Sequence, residues 1–465
     1  MTLLVLMLAC RPDPEGPSPD GSDDDTLDTD TASGDTAIDD TPEPTGDTAP
    51  AVVRPALVSP AEATDLDPAP DVLHVALVAA PHTWTAGDEA VDGYAFNGQV
   101  PGPTLRARVG DTLVVELDNQ LGMDSSIHWH GVDVPYAMDG AGWQVSPVEA
   151  GSSFTYTFVL EQAGTFWYHP HFDTAHQVDR GLYGVLVVED PSDPPVDDEL
   201  VLVFDGTGEV EAGEHHATVD PTPGRWLING LVEPIWSPQS GQIVRVRMVN
   251  ASNAGYLALD DVRVIATDQG LLPAPEASLV LAPGDRAELE WSVGPDATEI
   301  EAVPWSLAGP SAFPAIPVFG VAPAGSLPAP AALSWAFSGA APTPDPGRTD
   351  LRYTFTGSAE NGWEINGQTF PAIEPDVVAL GSEVVLEIRN VSPAHHPFHL
   401  HGMTFEVLSV DGVAPALRRV EDTLDIAVQQ TVRLRIVADN PGDWMSHCHI
   451  LPHAEDGMMT VLTVE

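Results

Sequence analysis

Hydrophobic and polar positions alternate along this chain in short runs, and one such run occurs three times. Each copy begins at a glycine and ends nine residues later at an asparagine, with a segment such as Asp-Thr-Leu-Val-Val-Glu-Leu-Asp in between. A period of two with many β-branched residues predicts half-buried strands. The copies are Gly110 to Asn119, Gly241 to Asn250 and Gly381 to Asn390.

A second repeated motif precedes each of these runs and divides the chain into three related units. It is an aromatic residue followed three and four positions later by Asn-Gly, at Tyr94, Trp226 and Trp363. Long helical periodicity is absent, so helices should be short connectors. Proline-rich joints near 190–195 and 341–346 mark the boundaries. We therefore expect an all-β chain of three sandwiches, covering residues 71–192, 193–342 and 343–465.

The first seventy residues have a different composition from the rest. Residues 1–10 form a short apolar run ending in Leu-Ala-Cys10, which resembles the export signal of a bacterial lipoprotein; a plain export signal and no export are the alternatives. The run is too short to span a membrane. Residues 11–70 should be a disordered acidic tether. We expect an exported, periplasmic or cell-surface protein whose membrane contact is a lipid on Cys10.

Charge excludes one class of partner. The chain has 70 acidic and 17 basic residues, the basic ones are all Arg, and residues 11–70 account for only sixteen of the acidic ones. A nucleic-acid partner is excluded because its phosphates would be repelled. The acidity has two interpretations: a field that gathers cationic metals or amines, or adaptation to salt or to a genome poor in Lys codons.

Histidines occupy matching positions in the first and third units. Two His-x-His pairs stand nine and eleven residues after Asn119 and Asn390, and two more start five residues after Gly164 and Gly442. Side chains two apart on a strand point to one face, so eight imidazoles should meet between these units. A structural zinc site uses four ligands, which implies that several metals share this one. The eight are His128, His130, His169, His171, His399, His401, His447 and His449.

The third unit adds a second kind of ligand set. His396, Cys448, His453 and Met458 offer two imidazoles, one thiolate and a thioether, which is the set of a blue copper electron-transfer site. Cys448 points to the opposite face from the histidines on either side of it. Its backbone therefore gives electrons a short covalent path between the two sites.

Four motifs together resemble the ligand motifs of the multicopper oxidases, closest to the bacterial three-domain laccase-like and cuprous oxidase group. They are His128-Trp-His-Gly131, His169-Pro-His171, His396-Pro-Phe-His-Leu-His-Gly402 and His447-Cys-His-Ile-Leu-Pro-His453. The resemblance implies Greek-key cupredoxin-like domains and four coppers. It assigns His396, Cys448, His453 and axial Met458 to type 1 copper, His128 and His399 to type 2 copper, and His130, His169, His171, His401, His447 and His449 to the type 3 pair.

The resemblance also implies roles for two carboxylates. Asp139 matches an acid that supplies protons for dioxygen reduction, although it also reads as a turn residue before a glycine. Asp422 matches a segment beside the type 1 site, where an acid binds a cationic or phenolic donor; a surface turn is the alternative. In many bacterial relatives a Glu directly follows the last type 1 histidine. Ala454 stands there in this chain, and Glu455 follows it.

We expect a monomeric laccase-like enzyme that takes single electrons from phenols or aromatic amines and reduces dioxygen to water. One alternative is a metallo-oxidase for Cu(I), Mn(II) or Fe(II) in metal tolerance. A non-catalytic cupredoxin scaffold is a second, but that class loses copper ligands. A copper nitrite reductase is disfavoured because its usual form has two such domains and lacks the eight cluster histidines.

Overall fold

The computed structural model describes residues 53–141, 145–206, 225–303, 305–306, 308–310, 315–328 and 332–465. These residues form a nearly all-β structure, as the alternating pattern predicts. The helices are short connectors: α1 (Thr174–Asp179), α2 (Leu451–Glu455) and one 3-10 turn (Tyr136–Met138). Within the described ranges, no helix is both long enough and apolar enough to cross a bilayer.

The first eight strands form two sheets of four strands. Their bounds are β1 (Val72–Ala86), β2 (Glu89–Phe96), β3 (Leu105–Arg108), β4 (Thr112–Asn119), β5 (His128–His130), β6 (Ser153–Val159), β7 (Gly164–His169) and β8 (Gly184–Glu189). The strand orders are β2-β1-β4-β6 and β3-β8-β7-β5. Both sheets contribute to one hydrophobic core, for example through Leu117 and Leu186.

The next twelve strands form a larger sheet and two small ones. Their bounds are β9 (Asp198–Gly206), β10 (Trp226–Ile228), β11 (Leu231–Val232), β12 (Ile235–Trp236), β13 (Ile243–Asn250), β14 (Leu257–Thr267), β15 (Gly270–Leu281), β16 (Arg286–Ser292), β17 (Thr298–Ala302), β18 (Trp305–Ser306), β19 (Gly309–Pro310) and β20 (Ile316–Val321). The orders are β11-β10-β9-β13-β16-β14-β15, β12-β20-β17 and β18-β19.

The last eleven strands repeat the two-sheet plan. Their bounds are β21 (Leu351–Ser358), β22 (Gly362–Ile365), β23 (Asp376–Val378), β24 (Glu383–Asn390), β25 (His396–Leu400), β26 (Phe405–Val410), β27 (Val420–Glu421), β28 (Thr423–Ile426), β29 (Thr431–Val437), β30 (Gly442–Cys448) and β31 (Met459–Val464). The orders are β22-β21-β24-β29-β26-β27 and β23-β31-β30-β25-β28. The strands thus fall into three groups in chain order, while the boundaries at 192 and 342 stay predictions.

The repeated asparagine has the same structural task in each group. Asn119, Asn250 and Asn390 end β4, β13 and β24, and all three side chains are fully buried. Each side-chain amide donates to at least two main-chain carbonyls of neighbouring loops. Buried carbonyls need such donors because no water reaches them. The asparagine therefore joins the strand end to its loops in all three units.

The segment from residue 53 to residue 70 is not the free tether that its composition predicts. Leu57 is buried and its N–H donates to the Ile235 carbonyl over 2.8 Å, while Arg54 Nη1 lies 2.6 Å from a Glu299 carboxylate oxygen. The Ala63 N–H donates to Thr104 of the first strand group. Such irregular main-chain pairing leaves no hydrophobic period in the sequence. The predicted export signal and the tether up to residue 52 lie outside the described residues.

Candidate metal centre

The thiol of Cys448 lies at the end of β30, where β25 pairs with it. Phe398 faces Cys448 across this pairing, and α2 turns back to bring His453 to the same place. His396 Nδ1 and His453 Nδ1 lie 3.4 and 3.6 Å from Cys448 Sγ and 3.2 Å from each other. Met458 is fully buried and its N–H donates to the His453 carbonyl. The four residues predicted for one site thus lie in one buried neighbourhood.

The other eight predicted histidines converge from the first and third strand groups. Strand β5 pairs with β7 and β25 with β30, so that His128 faces His169 and His399 faces His447. In each group of three, the potential ligand nitrogens lie within 4.8 Å of one another. These groups are His128, His130 and His399; His130, His169 and His449; and His171, His401 and His447.

Hydrogen bonds fix which nitrogen of each ring faces its neighbours. His401 Nδ1 donates to Asp139 Oδ2 over 3.0 Å and His399 Nδ1 donates to a main-chain carbonyl over 3.0 Å. Their other nitrogens then face inward: His401 Nε2 lies 3.0 Å from His447 Nε2, and His399 Nε2 lies 3.4 Å from His128 Nε2. Nitrogen lone pairs brought this close repel unless a cation lies between them. Partners that hold the outer nitrogen are typical of metal-bound histidines.

The protonation states of these side chains also fit a metal. Burial lowers the pKa of His169, His449 and His453, the last to about 3, so the imidazoles are neutral and free to coordinate. Burial raises the pKa of Cys448 well above its usual value, so a thiolate there needs a cation beside it. Within the described chain, His169 Nε2 and both nitrogens of His449 have no hydrogen-bond partner. Copper(II) would accept the lone pair of one nitrogen of each ring and bind the thiolate.

Asp139 lies between two of the histidines. It caps the 3-10 turn before Gly140, is 2% exposed, and places one carboxylate oxygen 3.2 Å from His128 Nδ1 and the other 3.0 Å from His401 Nδ1. Burial alone would raise its pKa, but the neighbouring rings of His401 and His128 and their hydrogen bonds hold it well below the usual range. Asp139 is therefore both a turn residue and a neighbour of the cluster, and its part in proton supply stays a prediction.

Asp422 does not lie where the sequence placed it. It was expected beside the thiol site, either to bind a donor or as a surface turn, but it is 1% exposed and contacts His130 and His399 of the cluster. The Arg286 guanidinium binds both of its carboxylate oxygens. Burial opposes ionisation, yet this guanidinium holds the pKa of Asp422 well below its usual range. The donor-binding interpretation of Asp422 is thus wrong: its carboxylate is buried and paired, which leaves it no surface to offer a donor.

Two hydroxyl groups near the ligands were missed. Ser392 Oγ lies 2.7 Å from His396 Nε2, and Thr423 Oγ1 lies 3.0 Å from His130 Nε2. Ser392 could have been found, because it stands two residues after the repeated Asn390, as Ser252 does after Asn250 in the unit that lacks ligands. Thr423 carries no such signal. Both hydroxyls hold the outer nitrogen of a predicted ligand.

A carboxylate lies near the cluster even though Ala454 replaces the usual Glu. Glu455 lines a cavity of about 230 Å³ together with His171 and His447. One of its oxygens accepts a hydrogen bond from the Ala175 N–H over 2.8 Å, which links α2 to α1. The next residue along the chain thus brings an acid to a cavity that reaches two cluster histidines.

Known proteins resemble this chain over most of its length. Two family models described as multicopper oxidase match residues 78–193 and 342–465. Multicopper oxidase MmcO of Mycobacterium tuberculosis is 31% identical, with 83% of this chain and 86% of that protein covered. Multicopper oxidase mco of Staphylococcus haemolyticus is also 31% identical, with 79% and 83% covered. The crystal structure of a multi-copper oxidase from Pseudomonas thermotolerans matches with a TM-score of 0.73 at 30% identity and covers 85% of this chain and 99% of its own.

Proposed function

This chain belongs to the multicopper oxidases, oxidoreductases that use dioxygen and hold four coppers of types 1, 2 and 3, and on that premise we propose that it oxidises phenols and aromatic amines. The alternation at His447-Cys448-His449 supports the electron path from the thiol site to the cluster on which this oxidation depends. Cys448 Sγ faces His396 and His453, while the histidines on both sides of it belong to the cluster groups. When bound, copper takes single electrons from the donor and delivers four to dioxygen.

The side-chain groups support one ligand assignment. We propose that His396, Cys448, His453 and Met458 hold type 1 copper. Two groups of three, His130 with His169 and His449 and His171 with His401 and His447, suit the two type 3 coppers, which leaves His128 and His399 for type 2. Asp139 holds His128 and His401 in place through their Nδ1 atoms. A scaffold without catalysis is set aside, because every ligand is present.

Aromatic and acidic side chains around His395, the residue before the proposed ligand His396, support an aromatic donor. His395 Nδ1 donates to Asp425 over 2.6 Å, and the Tyr256 hydroxyl donates to the same carboxylate over 3.0 Å. Trp305 stacks on Tyr256 with ring centroids 4.8 Å apart. Trp305 and Asp425 line a cavity of about 570 Å³ between strands of the second and third groups. A ring that carries an amine or hydroxyl would pack on the aromatic wall and donate to the carboxylate.

The same cavity gives the metallo-oxidase alternative its support. Glu276, Asp285 and Glu421 also line it, and carboxylates suit Mn(II) or Fe(II).

Oxygen uptake by the copper-loaded protein should be measured with a phenol, an aromatic amine, Cu(I), Mn(II) and Fe(II) in parallel. Faster uptake with the organic donors supports the proposal, and uptake with the metal ions alone overturns it. Asp425→Asn should raise KM for the amine, with Asp261→Asn, an exposed residue away from this wall, as the control.

We further propose, on the basis of the Leu-Ala-Cys10 motif alone, that the protein is exported and anchored by a lipid on Cys10, and separately that it is a monomer. Labelling with a radioactive fatty acid should mark the wild type and not Cys10→Ser. Membrane fractionation should release the variant into the soluble fraction. Equal labelling of both proteins would contradict the anchor, and a size-exclusion mass of two chains would contradict the monomer.

A further inference from the structure

Arg286 connects the middle strand group, which supplies no histidine to the cluster, with the two groups that do. It begins β16 and is fully buried. Its Nη1 donates to Asp422 Oδ1 over 2.8 Å, and Nη2 donates to the other oxygen of the same carboxylate. Its remaining N–H groups reach the carbonyls of Thr165 in β7 (3.3 Å) and Asp268 in the middle group (3.1 Å). The guanidinium is thus held from three sides in the fork geometry that fixes a carboxylate.

Asp422, held in this position, contacts two cluster histidines. Its Oδ1 lies 3.1 Å from His130 Nε2, and its main-chain carbonyl accepts from His399 Nδ1 over 3.0 Å. The rings of His130 and His399 stack with centroids 3.7 Å apart. Since Nε2 of His130 is engaged, the nitrogen left for a metal is Nδ1, which is buried and has no partner among the described residues.

The backbone beside His130 is shaped to admit the guanidinium. Gly131 has a φ of +86°, where side chains are strained. A Cβ there would clash with the Arg286 guanidinium and lie 2.8 Å from Asp422 Oδ2. The glycine of the His-Trp-His-Gly motif therefore lets Arg286 pack directly against the main chain that carries His130.

We propose that Arg286 is a positioning residue for the copper cluster: it holds Asp422, and Asp422 holds the rings of His130 and His399. The proposal rests on the ligand assignment given under Proposed function. Removal of the guanidinium would leave the Asp422 carboxylate buried without the cation that holds it, so the carboxylate would no longer be fixed in this position. His130 Nε2 would then lose this carboxylate and keep only the Thr423 hydroxyl, and a shift of Asp422 would also move the main-chain carbonyl to which His399 Nδ1 donates.

The test compares Arg286→Met with Arg247→Met. Arg247 is an equally buried arginine of the middle group, but its partners are Glu288, Glu199 and Thr165, and the cluster histidines are not among them. Copper per chain should be measured after competition with a graded chelator series, together with the paramagnetic resonance signal of the type 2 copper. We expect Arg286→Met to weaken copper binding at the cluster about 10- to 100-fold and to leave the visible thiolate band unchanged. Arg247→Met should lower stability and keep the cluster coppers.

If Arg286→Met does not fold, Arg286→Lys takes its place in the same measurements. A lysine keeps the charge but loses the fork, so it should give a smaller loss of cluster copper and a changed type 2 signal. Wild-type copper retention in Arg286→Lys or Arg286→Met, or an equal copper loss in Arg247→Met, would overturn the proposal. Failure of the ligand assignment is distinct, because the wild type itself would then lack the visible band and the full copper content, and failure of the proposed donor class is distinct, because it shows in oxygen uptake and not in copper retention.

Discussion

Replacement of Asn390 by alanine should destabilise the third sandwich and disturb its thiol site together. The amide donates to the carbonyls of Ala394 (2.7 Å) and Ile426 (2.9 Å), and its oxygen accepts from the N–H (3.0 Å) and hydroxyl (2.8 Å) of Ser392. Alanine leaves at least three polar groups buried without this partner. At about 1 to 3 kcal/mol each, the free energy of unfolding should fall by about 4 kcal/mol.

The assay is urea unfolding of the copper-free protein, since bound metal would hide the loss. Asn250→Ala is the matched control because its side chain makes the same four kinds of bond and should cost as much. Only Asn390→Ala should shift the visible thiolate band, because Ser392 Oγ lies 2.7 Å from His396 Nε2. A loss below about 1 kcal/mol would refute the hydrogen-bond reasoning, and an equal band shift in Asn250→Ala would refute the link to His396.

Three further changes test other parts of the structure. Cys448→Ser should abolish the visible thiolate band while copper analysis still finds the cluster ions; a blue serine variant would contradict the assignment. Asp139→Asn should slow oxygen uptake and spare the band, and unchanged turnover would remove Asp139 from the mechanism. Burial and the nearby Asp439 raise the pKa of Asp133 to about 7, so the native state binds the extra proton between pH about 4 and about 7. Copper-free wild type should therefore lose at most about 4 kcal/mol of stability as pH rises through that window. In urea unfolding at pH about 5 and about 8, Asp133→Asn should not show this loss of stability. An equal loss in the variant and the wild type would contradict the raised pKa of Asp133.

The histidine groups were predictable because strand repeats fix positions along the chain. Offsets from Asn119 and Asn390 place two histidine pairs at equivalent strand positions, and a period of two puts both members of a pair on one face. The position of the thiol was predictable by the same rule, because Cys448 alternates with His447 and His449 along the strand. Local sequence geometry was sufficient wherever the ligand lies on a repeated strand.

Contacts between units were not predictable from these patterns. Asp422 and Arg286 are 136 residues apart and belong to different strand groups, so no local period relates them. Residues 53–70 were mispredicted for the same reason. Their composition indicates a tether, but Leu57 packs in the hydrophobic core of the second strand group. Such positions depend on packing between domains, which the hydrophobic pattern of a single segment does not reveal.

The distance along the chain between the histidines affects how the protein is made. His128 and His399 are 271 residues apart, and β30 emerges from the ribosome long after β5. Domains made earlier in a nascent chain fold first, so the four histidines of the first sandwich lack their partners until β30 has been made. The complete cluster can therefore form only after His449 has been made. A chain that stops short of residue 447 would assemble neither site, so copper content would show whether the segment that carries Cys448 was made.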